Sequence, residues 1–309
     1  MDTGSNIITG RDCSIISHIG FTNMPIISLL LATVLLSNAI PLSAGNRYSD
    51  VTYPLLWSPE VIGSSTAGCI LGAMELRLIG DGYQAMYPSR NRHYGHPTLI
   101  RFLEQLSRYV ATTDHRLLIG DLGQPYGGPM PSGHQSHQTG LDADIWFFQP
   151  PITQILSNNE IEHLNAPSMI NANEGTLNSS NWSKLYRDIL KKAVLSPDVD
   201  RIFVNAIIKY VLCNSETDPS WLGKIRPWWG HDSHFHVRLA CPVGSHSCQS
   251  QHPIPAGSGC ETDLLNWVHD IVQTSSIPMQ SHKYILNPTK GMSIACSVIL
   301  SGQMPKLWR

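Results

Sequence analysis

Gly133-His134-Gln135-Ser136-His137-Gln138-Thr139-Gly140-Leu141-Asp142-Ala143-Asp144-Ile145-Trp146-Phe147-Phe148 sets two histidines and two aspartates between a glycine-bearing approach and an apolar close. From Asp142 onward the residue types predict a strand, whose side chains alternate between its two faces. Asp142, Asp144, Trp146 and Phe148 then share one face, and Ala143, Ile145 and Phe147 the other. A second stretch about ninety residues on, His231-Asp232-Ser233-His234-Phe235-His236-Val237-Arg238-Leu239, alternates as cleanly. His234, His236 and Arg238 point one way, and Phe235, Val237 and Leu239 the other. Two histidines on one strand face are odd for a plain half-buried strand. If the two strands lie side by side, His137, Asp144 and His236 converge.

That convergence points to zinc. A catalytic zinc takes three ligands from His, Asp or Glu and keeps a fourth position for water. It acidifies that water and polarises a substrate carbonyl. A hydrolase also needs a group that takes the water's proton and returns it to the leaving amine. No glutamate stands beside His236, so His231 and His234 are the candidates, one as base and the other beside the oxyanion. The sequence leaves their order open. It also leaves His134 as a further polar group or a metal ligand. Asp142 reads either as a partner behind a ligand or as an ordinary polar opening to a strand. Arg238 reads equally as a charge near the site or an exposed strand-end residue. No HExxH, GxSxG or GxxxxGK[ST] supports a rival chemistry. Five of the 14 histidines lie in these two stretches, and the other nine are read as surface or core residues.

The 309 residues, 42% hydrophobic, suffice for a full core. A net charge of -2 gives no electrostatic case for nucleic acid or an anionic membrane surface. Only 14% of residues are charged, while 24 Gly and 21 Pro predict a loop-rich domain. Residues 25–36 form an apolar run too short to span a bilayer and suited to the core of a signal peptide, with small residues at 37–39 and 43–44. The upstream charges are unfavourable, which fits a true start at Met24; an N-terminal membrane anchor is the alternative. The division is an extension and signal peptide over 1–45, then one domain over 46–309, with no membrane span in the mature chain. Setting Cys13 aside, six cysteines remain, none in a CxxC, and an exported chain would join them in three disulfides. Cys241 and Cys248 are near enough to close a small loop on each other.

Elsewhere, 46–95 reads as short strands and loops. Leu99, Leu103, Leu106 and Val110 give a helix over Pro97–Val110, and Arg116–Ile119 a short strand. Residues 150–181 read as a polar excursion over the surface. A helix over Trp182–Leu195, a strand at Arg201–Val204, a helix capped by Asn205 and running to Cys213, and a last helix over Glu261–Val272 follow. Beyond Pro278 the tail reads as irregular, tied down through Cys296.

The ensemble Ser65-x-x-Gly68-Cys69, Tyr94-Gly95-His96-Pro97, Ile119-Gly120-Asp121, Gly133 to Asp144, Arg201 to Asn205, and Arg226-Pro227-Trp228 through Leu239 resembles the penicillin-insensitive murein endopeptidases from about residue 57 to 300. The resemblance implies an α+β domain with a central antiparallel sheet flanked by helices. It implies a periplasmic address and cleavage of the D-alanine to meso-diaminopimelate cross-link peptides of peptidoglycan. Carried over residue by residue, it sets zinc on His137, Asp144 and His236, with His231 and His234 essential beside it. Insensitivity to penicillin follows from the lack of a serine nucleophile. The family pattern pairs Cys69 with Cys296, Cys213 with Cys260 and Cys241 with Cys248. Some members hold a second metal through His134 and a later Asp and His. Asn171 to Thr176 here has no histidine, so one zinc ion is expected. A D,D-carboxypeptidase of the same group and a non-catalytic cell-wall binding protein are the alternatives.

Overall fold

The two alternating stretches become neighbouring antiparallel strands in the middle of a seven-stranded sheet. The fold comes from a computed structural model that describes residues 48–275 and 291–300. The expected leader, its cleavage site and Cys13 lie outside the described residues, as does the tail segment from Pro278 to residue 290.

In chain order, β1 (Glu60–Ser64) and β2 (Ala67–Leu71) make a hairpin. β3 (Ile79–Gly80) and β4 (Tyr83–Ala85) follow, then α1 (Pro97–Ala111), β5 (Leu117–Ile119) and β6 (Asp142–Trp146). Next come α2 (Asn158–His163), α3 (Lys184–Val194), β7 (Val199–Val204) and α4 (Ala206–Ser215). β8 (Ile225–Pro227), β9 (His234–Leu239), α5 (Thr262–Ser275) and α6 (Ile294–Leu300) complete the described chain. The sheet order is β8-β7-β9-β6-β5-β4-β3. Its central pairings are antiparallel, while β7 with β8 and β4 with β5 run parallel.

The register of β6 on β9 fixes everything downstream. His236 faces Asp144, Arg238 faces Asp142, and Phe235 faces Ile145. A slip of one residue would turn all the polar side chains into the core. As it stands, Ala143, Ile145, Phe235 and Val237 join one buried cluster with Leu99, Leu103 and Val110 of α1, Ile189 and Leu190 of α3, and Ile208 of α4. The α1 face predicted from apolar spacing is the face that is buried. His96 caps that helix, its ring nitrogen accepting from the Thr98 amide at 3.2 Å, and Pro97 opens it with the φ a first turn needs. Asn205 caps α4 through the Ile207 amide, as its position predicts.

Two expectations change. Residues 150–181 are not a plain polar excursion. Ser157 and Glu160 form a reciprocal capping box that starts α2, and Ile161 of that helix is buried beside Met86, Leu118 and Trp146. Met169 is fully buried as well. The sparse apolar residues of this stretch were too few to show a period, yet Leu156, Ile161 and Met169 are all buried, while Ile155 stays exposed. The described part of the tail is a helix, α6, whose Cys296 and Ile299 fall on one turn and bury against Cys69 and Leu71.

All six described cysteines are bonded: Cys69–Cys296, Cys213–Cys260 and Cys241–Cys248, the three pairs that the resemblance implies. Among the described residues, no helix is long and apolar enough to cross a membrane.

Candidate metal centre and catalytic cleft

Five side chains predicted from sequence meet on the polar face of β6 and β9. Asp144 and His236 lie opposite each other by strand register. His137 arrives from the loop before β6 with φ at 66°, a backbone conformation uncommon for a residue with a side chain. Gly140, also at positive φ, turns the chain from that loop into β6. A Cβ there would stand 2.9 Å from Ile70 Cδ1 and 3.1 Å from Gly95 Cα.

The outward nitrogens of the two central imidazoles are both occupied. His137 Nδ1 lies 2.6 Å from the Leu122 carbonyl oxygen, which can only accept. His236 Nε2 lies 2.7 Å from Asp142 Oδ1. Each ring therefore spends its N–H outward and turns a bare lone pair inward. His137 Nε2 and His236 Nδ1 are 3.2 Å apart. Asp144 Oδ1 stands 3.4 Å from the first and 3.3 Å from the second, and no hydrogen bond reaches this buried oxygen. Three acceptors facing one another in a dry setting repel unless positive charge sits among them.

The triangle has the size a metal requires. Ligand atoms ~2.0–2.1 Å from a tetrahedral zinc stand ~3.3–3.4 Å apart, which matches all three edges. His134 overlaps this set: His134, His137 and Asp144 bring donor atoms within 4.8 Å of one another and form a group able to hold a metal ion. The set with His236 is the tighter, and its three members are all buried. His134 Nε2 is nearer the Asp121 carboxylate, at 3.0 Å, than Asp144 Oδ2, at 3.6 Å.

The electrostatics follow from burial against charge. Burial alone would raise the Asp144 carboxyl, but the facing imidazoles of His137, His234 and His134 hold it well below the ordinary carboxylate range. Burial would likewise lower His236, but its contacts with Asp142 and Asp144 raise it above an ordinary imidazole. His234 is pulled down, chiefly by burial, and His231 is pushed down to about 3 by burial and by the neighbouring His234 and His236. Both rings thus stay neutral near pH 7.

Asp142 stands behind His236 and is not an ordinary polar opening to a strand. Its Oδ1 also accepts from Arg238 Nε at 2.6 Å, and Arg238 is buried, not an exposed strand end. Asp121 has the same part behind His134, with Arg90 and Arg92 on its Oδ2 at 3.1 and 2.9 Å. Asp121, in the motif Ile119-Gly120-Asp121, has no role that the sequence alone assigns. The signal was a carboxylate placed just after a strand that ends beside the site.

His231 stands on the loop before β9 with φ at 52°, and its Nδ1 donates to the Trp229 carbonyl at 2.8 Å. Its ring is 5.1 Å from His234 and 5.8 Å from His236, centre to centre. His234 Nε2 is 3.7 Å from Asp144 Oδ1. The cleft in front holds 240 Å³ and is lined by Tyr87, Arg90, Asp121, His134, Trp146 and His234, among others. The site thus combines a lone-pair triangle, neutral imidazoles beside it and an open groove. That is equipment for metal-assisted hydrolysis.

Known proteins agree in kind. The family model described as penicillin-insensitive murein endopeptidase matches residues 61–301. A protein of Pectobacterium atrosepticum with that same name is 38% identical over 266 residues, covering 85% of this chain and 93% of its own. One from Haemophilus influenzae is 42% identical over 212 residues, covering 67% and 72%. One from Klebsiella pneumoniae subsp. pneumoniae is 39% identical over 263 residues, covering 83% and 95%.

Proposed function

The chain belongs to the penicillin-insensitive murein endopeptidase family, and from that premise we propose a zinc-dependent enzyme that hydrolyses the D-alanyl to meso-diaminopimelyl cross-link of peptidoglycan. The observation that carries the metal is the triangle of His137 Nε2, His236 Nδ1 and Asp144 Oδ1, with edges of 3.2 to 3.4 Å. These three residues would hold the ion, and Asp142 and Leu122 keep the two imidazoles turned inward for it. When bound, zinc supplies Lewis acidity to the scissile carbonyl and acidifies the attacking water.

The protein's own groups divide the proton work. His231 has spent its Nδ1 hydrogen on a backbone carbonyl, so its Nε2 lone pair is free to take the proton of the attacking water. His234, between His231 and Asp144, is set to donate to the oxyanion. The protonated base then passes its proton to the leaving amine. His134, held by Asp121, lines the cleft.

Three disulfides support an oxidising compartment, and a murein substrate lies outside the inner membrane; we assign the protein to the periplasm. Purified peptidoglycan, incubated with and without a chelator and read by mass, tests the proposal. Cross-linked muropeptide dimers should become monomers only when metal is present. Dimers that survive but lose a terminal D-residue would mean a carboxypeptidase instead. Dimers left intact by the zinc-loaded protein, with no fragment released, would overturn the reading.

A further inference from the structure

Trp228 and Trp229 follow β8 directly and precede the catalytic loop at His231. They are 50% and 48% exposed, the only exposed tryptophans among the described residues. Scattered apolar residues on a surface need no explanation, but two adjacent half-bare indoles do. Water alone would not keep them there. Nor are they loose: Trp267 of α5 backs both, with ring centres 6.2 and 5.3 Å away. Trp228 further packs on Phe203 at 5.6 Å, and its amide donates to the Val204 carbonyl, extending β8 by a residue. The ridge is rigid and built. Gly230 beside it has nothing within 4 Å of the place a Cβ would take, so the ridge stands open on that side.

We infer that this aromatic ridge is a subsite for the glycan strand of murein, stacking on the faces of its N-acetylhexosamine rings. The inference rests on the murein reading above. Stem peptides carry several carboxylates, which the negative face of an indole does not attract. Pyranose rings instead present flat C–H surfaces whose slight positive charge matches the negative face of an indole.

The distances agree. The Trp228 ring is no farther from His236 than two steps of 5.6 and 5.4 Å through Phe203. A murein stem places the sugar within about four extended residues of the cross-link, at most ~14 Å. A cross-link seated at His236 can therefore place its own glycan over the tryptophans. The cleft reads the peptide and the ridge reads the sugar.

The test uses the full-length zinc-loaded protein, Trp229→Ala, and Trp229→Phe as the variant that keeps a stacking face. The binding probe is a β-1,4-linked N-acetylglucosamine tetramer, followed by intrinsic tryptophan fluorescence. Wild type should bind it saturably, Trp229→Ala should bind it roughly ten-fold more weakly or worse, and Trp229→Phe should keep most of the affinity. Kinetics are then compared on intact murein and on a peptide-only cross-linked dimer without sugar. The KM of Trp229→Ala should rise on murein by about ten-fold more than on the peptide dimer. Equal losses on both substrates would overturn the inference. So would absent tetramer binding with unchanged murein kinetics, which would leave the ridge to a protein partner. Failure of wild type to cleave either substrate sinks the murein reading itself, and the tetramer binding then reads the ridge alone.

Discussion

Asp142→Asn separates what the carboxylate does for the metal from what it does for the fold. Asp142 is fully buried, and one oxygen serves both His236 Nε2 and Arg238 Nε. The substitution keeps the shape and removes the charge. If the new amide turns its NH2 towards His236, the ring must move its hydrogen to Nδ1, the atom that faces Asp144. Loss of such a partner behind a metal-binding histidine costs about 10–100-fold in affinity, ~1.4–2.7 kcal/mol. Separately, Arg238 is left buried with no counter-charge, which costs roughly 3–5 kcal/mol of stability. Zinc affinity is read by competition with a chromophoric chelator at neutral pH. Stability is read by urea unfolding with excess chelator, so that no metal contributes. Asp142→Asn/Arg238→Met should recover most of the lost stability and none of the lost affinity. If Asp142→Asn holds zinc as tightly as the parent, the tautomer argument is wrong and so is the reason for facing lone pairs.

Three further outcomes follow from the geometry. His236→Ala should lose both zinc and activity, whereas His234→Ala should lose activity and largely retain zinc by elemental analysis; full activity in either counts against the roles given them. Lys209 is fully buried with Nζ donating to the carbonyls of Leu222 and Ser258 at 2.7 and 2.6 Å, and burial first, then nearby Arg226, pulls its ammonium down to about 7. The unfolded chain then binds more protons between that value and the ordinary 10.5, so the Lys209 contribution to stability rises with pH above about 7 and is flat below it. Lys209→Met should remove that slope from urea midpoints taken between about pH 6 and about pH 9; an unchanged slope would refute it. Opening the disulfides one pair at a time should destabilise in order of loop length. The separations of 7, 47 and 227 residues correspond to roughly 2.5, 4 and 5 kcal/mol, and a larger loss at Cys241–Cys248 than at Cys69–Cys296 would contradict this.

The strands of the site were legible because alternation is a local property: Asp142 to Trp146 and His234 to Leu239 each show two faces without reference to the other. Their adjacency was only a condition in the sequence, and it is met by pairing His236 with Asp144. Helix α1 was legible for a similar reason, having four apolar residues at helical spacing and a proline to open it. Residues 150–181 were not, because Leu156, Ile161 and Met169 are too far apart to form a period and bury themselves singly. Asp121 and Arg238 show the complementary limit. A charged residue looks the same in a sequence whether it is exposed or holds a histidine in place, and only the three-dimensional neighbours at 2.6 to 3.1 Å tell the two apart.

The bond from Cys69 to Cys296 ties a strand near the beginning of the domain to a helix near its end. Its halves are made 227 residues apart, so at ordinary rates of synthesis the first thiol waits roughly 10–45 s for the second to exist. Cys241 and Cys248 emerge almost together and can close at once. Cys296 is the last of the six described cysteines to be made, so the clasp over β2 cannot shut until the thiols of the other two pairs already exist. A chain cut short before residue 296 would carry an unpaired thiol at Cys69, and that thiol would mark it as unfinished.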